Sequence, residues 1–143
     1  RVIEKWAVKI GGGENHRYAL YDMIMLKDNH IDYAGGIEAA LEKTKKYLAD
    51  NKLDLKIIVE IRTLKELEKC IKIDGVYRVL LDNMSPEMMK KGIAMINGVF
   101  KTEASGGITE TTIAKVAESG VDYISVGALT HSYTSLDISL KAY

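Results

Sequence analysis

The stretch LKIIVEIRTLKELEKC, residues 55–70, decides the fold class of this chain. Its first half is a run of aliphatic and β-branched residues, which is typical of a strand buried on both faces of a parallel sheet. Its second half predicts a helix, because Thr63 and Glu66 form a capping-box pattern ahead of an apolar stripe. A buried strand that leads directly into an amphipathic helix predicts a parallel α/β fold.

The same alternation of strand and helix extends in both directions from this stretch. Further strands are predicted at MIML (23–26), YRVLLDN (77–83), VFKTEAS (99–105) and DYISVGA (122–128). Further helices are predicted over residues 2–10, over residues 36–50, from Ser85-Pro86 onward, from a Thr109 cap to Ala117, and from Leu136 to the end. Strands separated by helices favour parallel pairing through right-handed crossovers.

The predicted strands end at a constant interval. If their last residues are Glu60, Asp82, Ala104 and Val126, each interval is 22 residues. A steady period of this kind favours the wall of a (β/α) barrel, with a compact doubly wound sheet as the alternative. Because an entire barrel takes about 250 residues, the 143 residues predict either a compact doubly wound sheet or a piece of a barrel, and the start at Arg1 without Met favours the piece.

The composition excludes several classes of partner. Apolar residues make up 47% of the chain, and the 20 basic residues balance the 20 acidic ones. This balance gives no electrostatic reason to expect nucleic acid or a membrane surface as a partner. The single cysteine, Cys70, is predicted to pack in the core rather than react, and one cysteine favours a reducing compartment. With no signal-peptide core at its start, the protein is expected to be cytoplasmic.

Polar residues and small turns follow the ends of the predicted strands, where parallel α/β folds build their active sites. Lys27 follows the first strand, and Glu60 and Asp82 close the next two. Two carboxylates on neighbouring strands can hold a hydrated Mg²⁺ or the hydroxyls of a sugar. Small residues after the last two strands favour phosphate binding through backbone N–H groups. These turns are Ser105-Gly106-Gly107 and Gly127-Ala128.

At these positions the sequence resembles the quinolinate phosphoribosyltransferase family. The resemblance runs through GGGENHRYALYDMIMLKDNHI (11–31), VLLDNMSPE (79–87), EASGGIT (103–109) and GVDYISVGALTHS (120–132). It implies that residues 1–143 form the C-terminal barrel portion of such an enzyme. The N-terminal domain of the family, a basic motif and the first barrel strands are then expected to lie outside these residues.

The resemblance also implies an activity. A pentosyltransferase of this family moves the phosphoribosyl group of phosphoribosyl pyrophosphate to quinolinate, and decarboxylation then gives nicotinate mononucleotide, pyrophosphate and CO₂ for NAD biosynthesis. It implies Mg²⁺ as cofactor, and a homodimer or higher homo-oligomer. One alternative is a catalytically incomplete phosphate-binding fragment. The other is a related phosphoribosyltransferase or a molybdenum-transport-associated homologue.

The resemblance further implies a role for each matched residue. His16, Arg17 and Lys27 are expected to bind the two carboxylates of quinolinate. Lys27, Glu60 and Asp82 are the expected catalytic residues, and Glu60 and Asp82 also hold Mg²⁺, directly or through water. The phosphate is expected to lie on the backbone N–H groups of Ser105, Gly106, Gly107, Gly127 and Ala128, with His131 as a further donor.

Overall fold

Five parallel strands form one sheet in this computed structural model, which describes residues 1–142. The strands are β1 (Ile24–Leu26), β2 (Ile57–Ile61), β3 (Arg78–Asp82), β4 (Lys101–Ser105) and β5 (Tyr123–Ile124). Their order in the sheet is their order along the chain. A doubly wound sheet would reverse its order at a switch point, whereas a barrel wall would not. The predicted α/β fold with a partial barrel is therefore confirmed.

Helices lie between the strands as the sequence pattern predicts, although two of the seven helices within residues 1–142 are not predicted. Within residues 1–142 they are α1 (Val2–Ile10), α2 (Asp28–Ala34), α3 (Ile37–Asp50), α4 (Leu64–Cys70), α5 (Pro86–Ile96), α6 (Ile113–Ala117) and α7 (Ala128–His131). Thr63 caps α4 by accepting the N–H of Glu66 at 3.2 Å, and Ser85 caps α5 by accepting that of Met88 at 3.3 Å. None of these helices is long and apolar enough to cross a bilayer.

The two faces of the sheet carry different residues, because successive side chains of a strand point to opposite sides. Val59, Leu81 and Ala104 point to the face that packs against the helices, where they are fully buried. Glu60 and Glu103 alternate with them and point to the other face, outside the helix-packed core. Charged side chains from neighbouring strands are thus gathered on one side of the sheet.

Cys70 lies in the helix-packed core at the end of α4 and is fully buried. Burial raises the pKa of its thiol to about 12, so the thiolate is not formed near neutral pH. The prediction that this cysteine packs in the core is confirmed.

The predicted last residues of three strands, from which the constant interval was calculated, are wrong by one or two residues. β2 ends at Ile61 and β4 at Ser105, one residue later than predicted, and β5 ends at Ile124 rather than at Val126. β5 pairs on one side only, with β4, so its backbone leaves the ladder early and turns into α7. The pairing register also places Glu60 opposite Leu80.

Two predicted helix boundaries are wrong as well. Thr109 does not cap a helix with its side chain, because its carbonyl closes a turn with Thr112 and α6 begins only at Ile113. No helix follows Leu136 within residues 136–142. Leu136, Ile138 and Leu140 alternate with polar residues, and this period of two suits an extended chain rather than a helix.

The helix α2, which sequence reasoning missed, begins directly after β1. Lys27 is its N-cap residue, and the backbone N–H of Lys27 donates to Nδ1 of His30 at 3.0 Å. The helix ends at Gly35, whose φ of 95° is the left-handed conformation that favours glycine. Seven residues are too few to show a helical period, so the sequence pattern predicts no helix over residues 28–34.

Candidate active site

The three residues predicted to be catalytic lie in one electrostatic environment. Lys27 follows β1, Glu60 lies on β2 and Asp82 ends β3, so neighbouring strands supply all three. Burial raises the pKa of Glu60, the charge of Asp82 raises it further, and the charge of Lys27 lowers it. The two carboxylates repel each other, so a positively charged ligand group that binds between them is stabilised by both.

Asp82 is oriented through both of its carboxylate oxygens. Ser105 on β4 donates its hydroxyl hydrogen to Oδ1 at 2.7 Å, and Asn83 donates its side-chain amide to Oδ2 at 2.6 Å. Asn83 has a φ of 51°, and its backbone N–H donates to the carbonyl of Ser105 at 2.9 Å. The sequence places Asn83 beside Asp82 at the end of a strand, but the pattern alone assigns it no role in orienting Asp82.

Gly106 makes room for this arrangement. A Cβ atom added at Gly106 would lie 2.2 Å from Oδ1 of Asn83, which is far inside contact distance, and the φ of Gly106 is 88°. Only glycine therefore fits between the end of β4 and the Asn83 side chain. The turn after β4 and the orientation of Asp82 depend on the same residue.

The two turns predicted to bind phosphate follow neighbouring strands. The N–H of Ser125 donates to the carbonyl of Ala104 at 2.9 Å, which holds the end of β5 beside β4. Within residues 1–142, the backbone N–H groups of Gly106, Gly107 and Gly127 have no protein acceptor. These open donors suit an anion. The role of the five-residue set in phosphate binding stays a prediction.

His131 lies against the second of these turns. A Cβ atom at Gly127 would lie 2.7 Å from Nε2 of His131, so the absence of a side chain at Gly127 lets the imidazole lie over the turn. The other ring nitrogen, Nδ1, is 2.8 Å from the hydroxyl of Ser132. His131 thus stands beside Gly127 and Ala128, as a phosphate donor at this turn would.

A second polar cluster, which sequence reasoning missed, is centred on Glu103 in β4. Its side chain is 1% exposed, and Arg78 donates from Nη1 to its Oε2 at 2.6 Å. Ser125 donates to Oε1, and Nε2 of His16 lies 3.5 Å from the same oxygen. Burial alone would raise the pKa of Glu103, but His16, Arg78 and Ser125 together lower it to about 2. The carboxylate is therefore ionised.

The predicted substrate ligands His16 and Arg17 line different cavities. His16 lines a cavity of about 530 Å³ together with Arg78 and Tyr123. Arg17 lines one of about 460 Å³ and donates from Nη1 to the carbonyl of Met23 at 3.3 Å. Neither lining includes Lys27, Glu60 or Asp82. The structure therefore separates the predicted site residues: His16 lies beside β5, Arg17 lies next to the start of β1, and the others lie at the strand ends.

The donor set at the strand ends fits a hydrated Mg²⁺ rather than an enclosed metal site. Among residues 1–142, no group of three His, Cys, Asp or Glu side chains stands close enough to hold a metal ion. Glu60 and Asp82 supply two carboxylates, which is the number that Mg²⁺ commonly takes from a protein when waters and substrate phosphates complete its shell.

Comparisons with known proteins agree on one family. The family model described as quinolinate phosphoribosyl transferase, C-terminal domain, matches residues 1–141. The chain is 46% identical over 155 residues to the mitochondrial quinolinate phosphoribosyltransferase [decarboxylating] 2 of Nicotiana glauca. It is 43% identical over 140 residues to the probable nicotinate-nucleotide pyrophosphorylase [carboxylating] of Bacillus subtilis. These matches cover 99% and 98% of the chain.

Solved structures share the fold. NadC from Streptococcus pyogenes superposes with a TM-score of 0.89 at 41% identity, covering 99% of this chain and 48% of that one. The nicotinate-nucleotide pyrophosphorylase from Francisella tularensis superposes with a TM-score of 0.80 at 40% identity, covering 87% of this chain and 43% of that one. The chain likewise spans 44% and 47% of the two curated relatives, about half their length.

Proposed function

The chain belongs to the quinolinate phosphoribosyltransferase family, and from that premise we propose that the protein transfers a phosphoribosyl group to quinolinate with decarboxylation. The reaction consumes phosphoribosyl pyrophosphate and gives nicotinate mononucleotide, pyrophosphate and CO₂. The observation that carries the proposal is the grouping of Lys27, Glu60 and Asp82 at the ends of three neighbouring strands. Such a group can stabilise a sugar that becomes positively charged.

Quinolinate is a dicarboxylate and needs cationic partners. His16, Arg17 and Lys27 can supply them, and the planar fork of arginine matches a carboxylate with two parallel hydrogen bonds. In the structure Arg17 lines one cavity and His16 the next, and Lys5 and Asn15 border both. One ligand that bridges the two cavities would therefore contact both side chains.

The first chemical step forms a bond from the pyridine nitrogen to the anomeric carbon, and the bond from that carbon to pyrophosphate breaks. Positive charge develops on the ribose as the leaving group departs. Glu60 and Asp82 would face this charge, and Asp82 is already oriented by Ser105 and Asn83. Because these hydrogen bonds exist before the reaction, little reorganisation is needed when the charge appears.

Decarboxylation follows from the product of the first step. The alkylated ring nitrogen is positive, so it stabilises the electron pair that CO₂ leaves on the adjacent ring carbon, and this carbon then takes up one proton, ultimately from solvent. The protein then needs only to hold the remaining carboxylate and to exclude water. His16, Arg17 and Lys27 would hold it.

The phosphate of the ribosyl group is assigned to the two open turns. Ser105, Gly106 and Gly107 follow β4, and Gly127 and Ala128 follow β5, beside His131. The free N–H groups there support this assignment, since backbone donors without side chains allow close approach of an anion.

We assign Mg²⁺ to Glu60 and Asp82, with waters and substrate oxygens completing its shell. When bound, the ion would neutralise the charge of pyrophosphate. Both carboxylates would remain anchored by the protein, Asp82 through Ser105 and Asn83 and Glu60 through its burial on β2.

Assembly as a homodimer or higher homo-oligomer, in the cytoplasm, completes the proposal. The exposed apolar residues of α1, Val2, Ile3, Trp6 and Ile10, support an assembly in which this helix is covered. Exposed apolar surface of this kind usually marks an interface.

The activity is tested with the protein expressed from its complete reading frame. Quinolinate, phosphoribosyl pyrophosphate and Mg²⁺ are added, and nicotinate mononucleotide is measured by mass spectrometry. We expect the product to form only when all three are present. Phosphate or pyridine-nucleotide binding without product would support the alternative, a catalytically incomplete phosphate-binding protein, and overturn the proposed reaction.

A further inference from the structure

We propose that Glu103 is a positioning residue for quinolinate binding, because it holds the imidazole of His16 in place from inside the sheet. The inference rests on the proposed function, since it assigns to His16 a carboxylate of quinolinate. It adds a residue that is not among those predicted to touch either substrate.

Glu103 borders the cavity that His16 lines, but almost none of its side chain is exposed. It lies in the middle of β4, opposite Leu80 of β3 and Tyr123 of β5, and its side chain is 1% exposed. A charge in such a position is costly unless partners compensate it. Its role must therefore be exerted through the side chains that it contacts.

Its two oxygens have different partners. Oε2 accepts from Arg78, whose guanidinium lies 3.9 Å above the ring of Tyr123. Oε1 accepts the hydroxyl of Ser125 and faces Nε2 of His16 at 3.5 Å. Arg78 by itself balances the negative charge. Oε1 is thus fixed by Ser125 and directed toward the histidine.

His16 depends on this oxygen. Its Nε2 atom is buried, has no hydrogen-bond partner among residues 1–142 and lies nearest to Glu103, while 27% of its side chain stays exposed to the cavity. A buried polar atom without a partner is unfavourable, and a small rotation toward Oε1 would satisfy it. When the ring carries a proton on both nitrogens, as a cationic partner of quinolinate requires, the other ring nitrogen, Nδ1, is then the one left to donate to a substrate carboxylate.

A purely structural role for Glu103 makes a different prediction. If Glu103 serves only to neutralise Arg78, its replacement destabilises the protein, and removal of both charges restores all properties together. If it also orients His16, removal of both charges restores stability but not quinolinate affinity. Stability and affinity therefore separate the two cases.

The test measures quinolinate and phosphoribosyl pyrophosphate binding by isothermal titration, with the protein expressed from its complete reading frame. Glu103→Gln should weaken quinolinate binding by about tenfold to hundredfold, the usual effect of losing one charge-assisted bond. It should change phosphoribosyl pyrophosphate binding by less than about twofold and raise the KM for quinolinate more than it lowers kcat. The matched control is Glu66→Gln, the same change at a carboxylate that is bonded to Arg62 and lines neither cavity, and it should leave both affinities unchanged.

A double-mutant cycle of Glu103→Gln and His16→Ala shows whether Glu103 acts through His16. In the variant His16→Ala, the additional change Glu103→Gln should weaken quinolinate binding no further, because the residue that it positions is gone. If Glu103→Gln does not fold, Arg78→Leu with Glu103→Leu takes its place and should bind quinolinate as weakly as His16→Ala does.

Outcomes that contradict the inference differ from those that contradict the function. Full quinolinate affinity in Glu103→Gln or in the double leucine variant would overturn the positioning role alone, and so would additive losses with His16→Ala. No quinolinate binding by the unmodified protein would overturn the proposed function, and this inference with it.

Discussion

Asp82 shows how single residues determine the candidate site. Its two oxygens accept hydrogen bonds from Ser105 and Asn83. The Asn83 side chain can take this position only because Gly106 has no side chain. Gly106→Ala should displace the Asn83 side chain and lower kcat by about two orders of magnitude, since misplaced charge in the transition state costs this much.

A matched control for Gly106→Ala is Gly98→Ala. Gly98 also has a positive φ, 78°, but nothing lies within 4 Å of an added Cβ. The Gly98→Ala variant should be less stable than the unmodified protein by about 1 kcal/mol, because of backbone strain, and should keep the same kcat. Steady-state rates with melting curves measure both effects, and equal kcat values in the two variants would contradict the role of Gly106.

Arg17 is predicted to bind a carboxylate of quinolinate through its planar fork. Arg17→Lys keeps the charge but loses the fork, so quinolinate affinity should fall by about 1.5–3 kcal/mol while phosphoribosyl pyrophosphate affinity stays nearly constant. Titration of each ligand decides this. Arg62→Lys is the control, because the guanidinium of Arg62 donates to the carboxylates of Asp32 and Glu66, outside these cavities. Equal losses for both ligands in Arg17→Lys would contradict the assignment.

The acid stability of the fold should depend on Glu103. Its pKa is about 2 in the folded protein against an ordinary value of 4.5, so it stabilises the fold fully above about pH 4.5 and loses this effect as the pH falls toward 2. The raised pKa of Glu60 acts in the opposite direction, because its protonation at low pH relieves a buried charge.

Melting temperatures from pH 7 down to pH 2 test this dependence. The unmodified protein should lose stability between pH 4.5 and pH 2, and Glu103→Gln should lose less over the same range because it cannot take up that proton. Parallel curves for the two proteins would show that Glu103 is not the group responsible.

At the scale of elements, helix caps could be predicted where the signal is local. Thr63 and Ser85 cap α4 and α5 as their sequences indicate, because a cap depends only on the next three residues. The short β5 could not be predicted, since its length depends on having a partner on one side only. The start of α6 could not be predicted either, because three threonine hydroxyls, those of Thr109, Thr111 and Thr112, bond to one another there.

Two threonine variants test whether Thr63 caps a helix with its side chain while Thr109 does not. Thr63→Ala should destabilise the protein by about 1 kcal/mol, because it removes the acceptor for the N–H of Glu66. Thr109→Ala should change stability by less than about 0.5 kcal/mol, since its side chain caps no helix. Urea denaturation of both variants measures the difference, and a larger loss in Thr109→Ala would show that the sequence-based cap was correct.

At the scale of the whole molecule, part of the candidate site could be predicted and part could not. Lys27, Glu60 and Asp82 were predictable because each stands at the end of its own strand, and parallel strands bring those ends to one edge. The contact of Glu103 with His16 was not, because it depends on strand register and on where the loop after α1 lies. Neither is visible in a single sequence.

If the carboxylates at the strand ends perform the chemistry, the kcat of nicotinate mononucleotide formation depends on the charge of Asp82. Asp82→Asn keeps the shape but removes the charge, so kcat should fall by at least about a hundredfold. Asp32→Asn, the same change at a carboxylate that accepts two hydrogen bonds from Arg62 and lines neither cavity, should keep kcat within about threefold at a temperature where both variants are folded. Equal rates for the two variants would contradict the account.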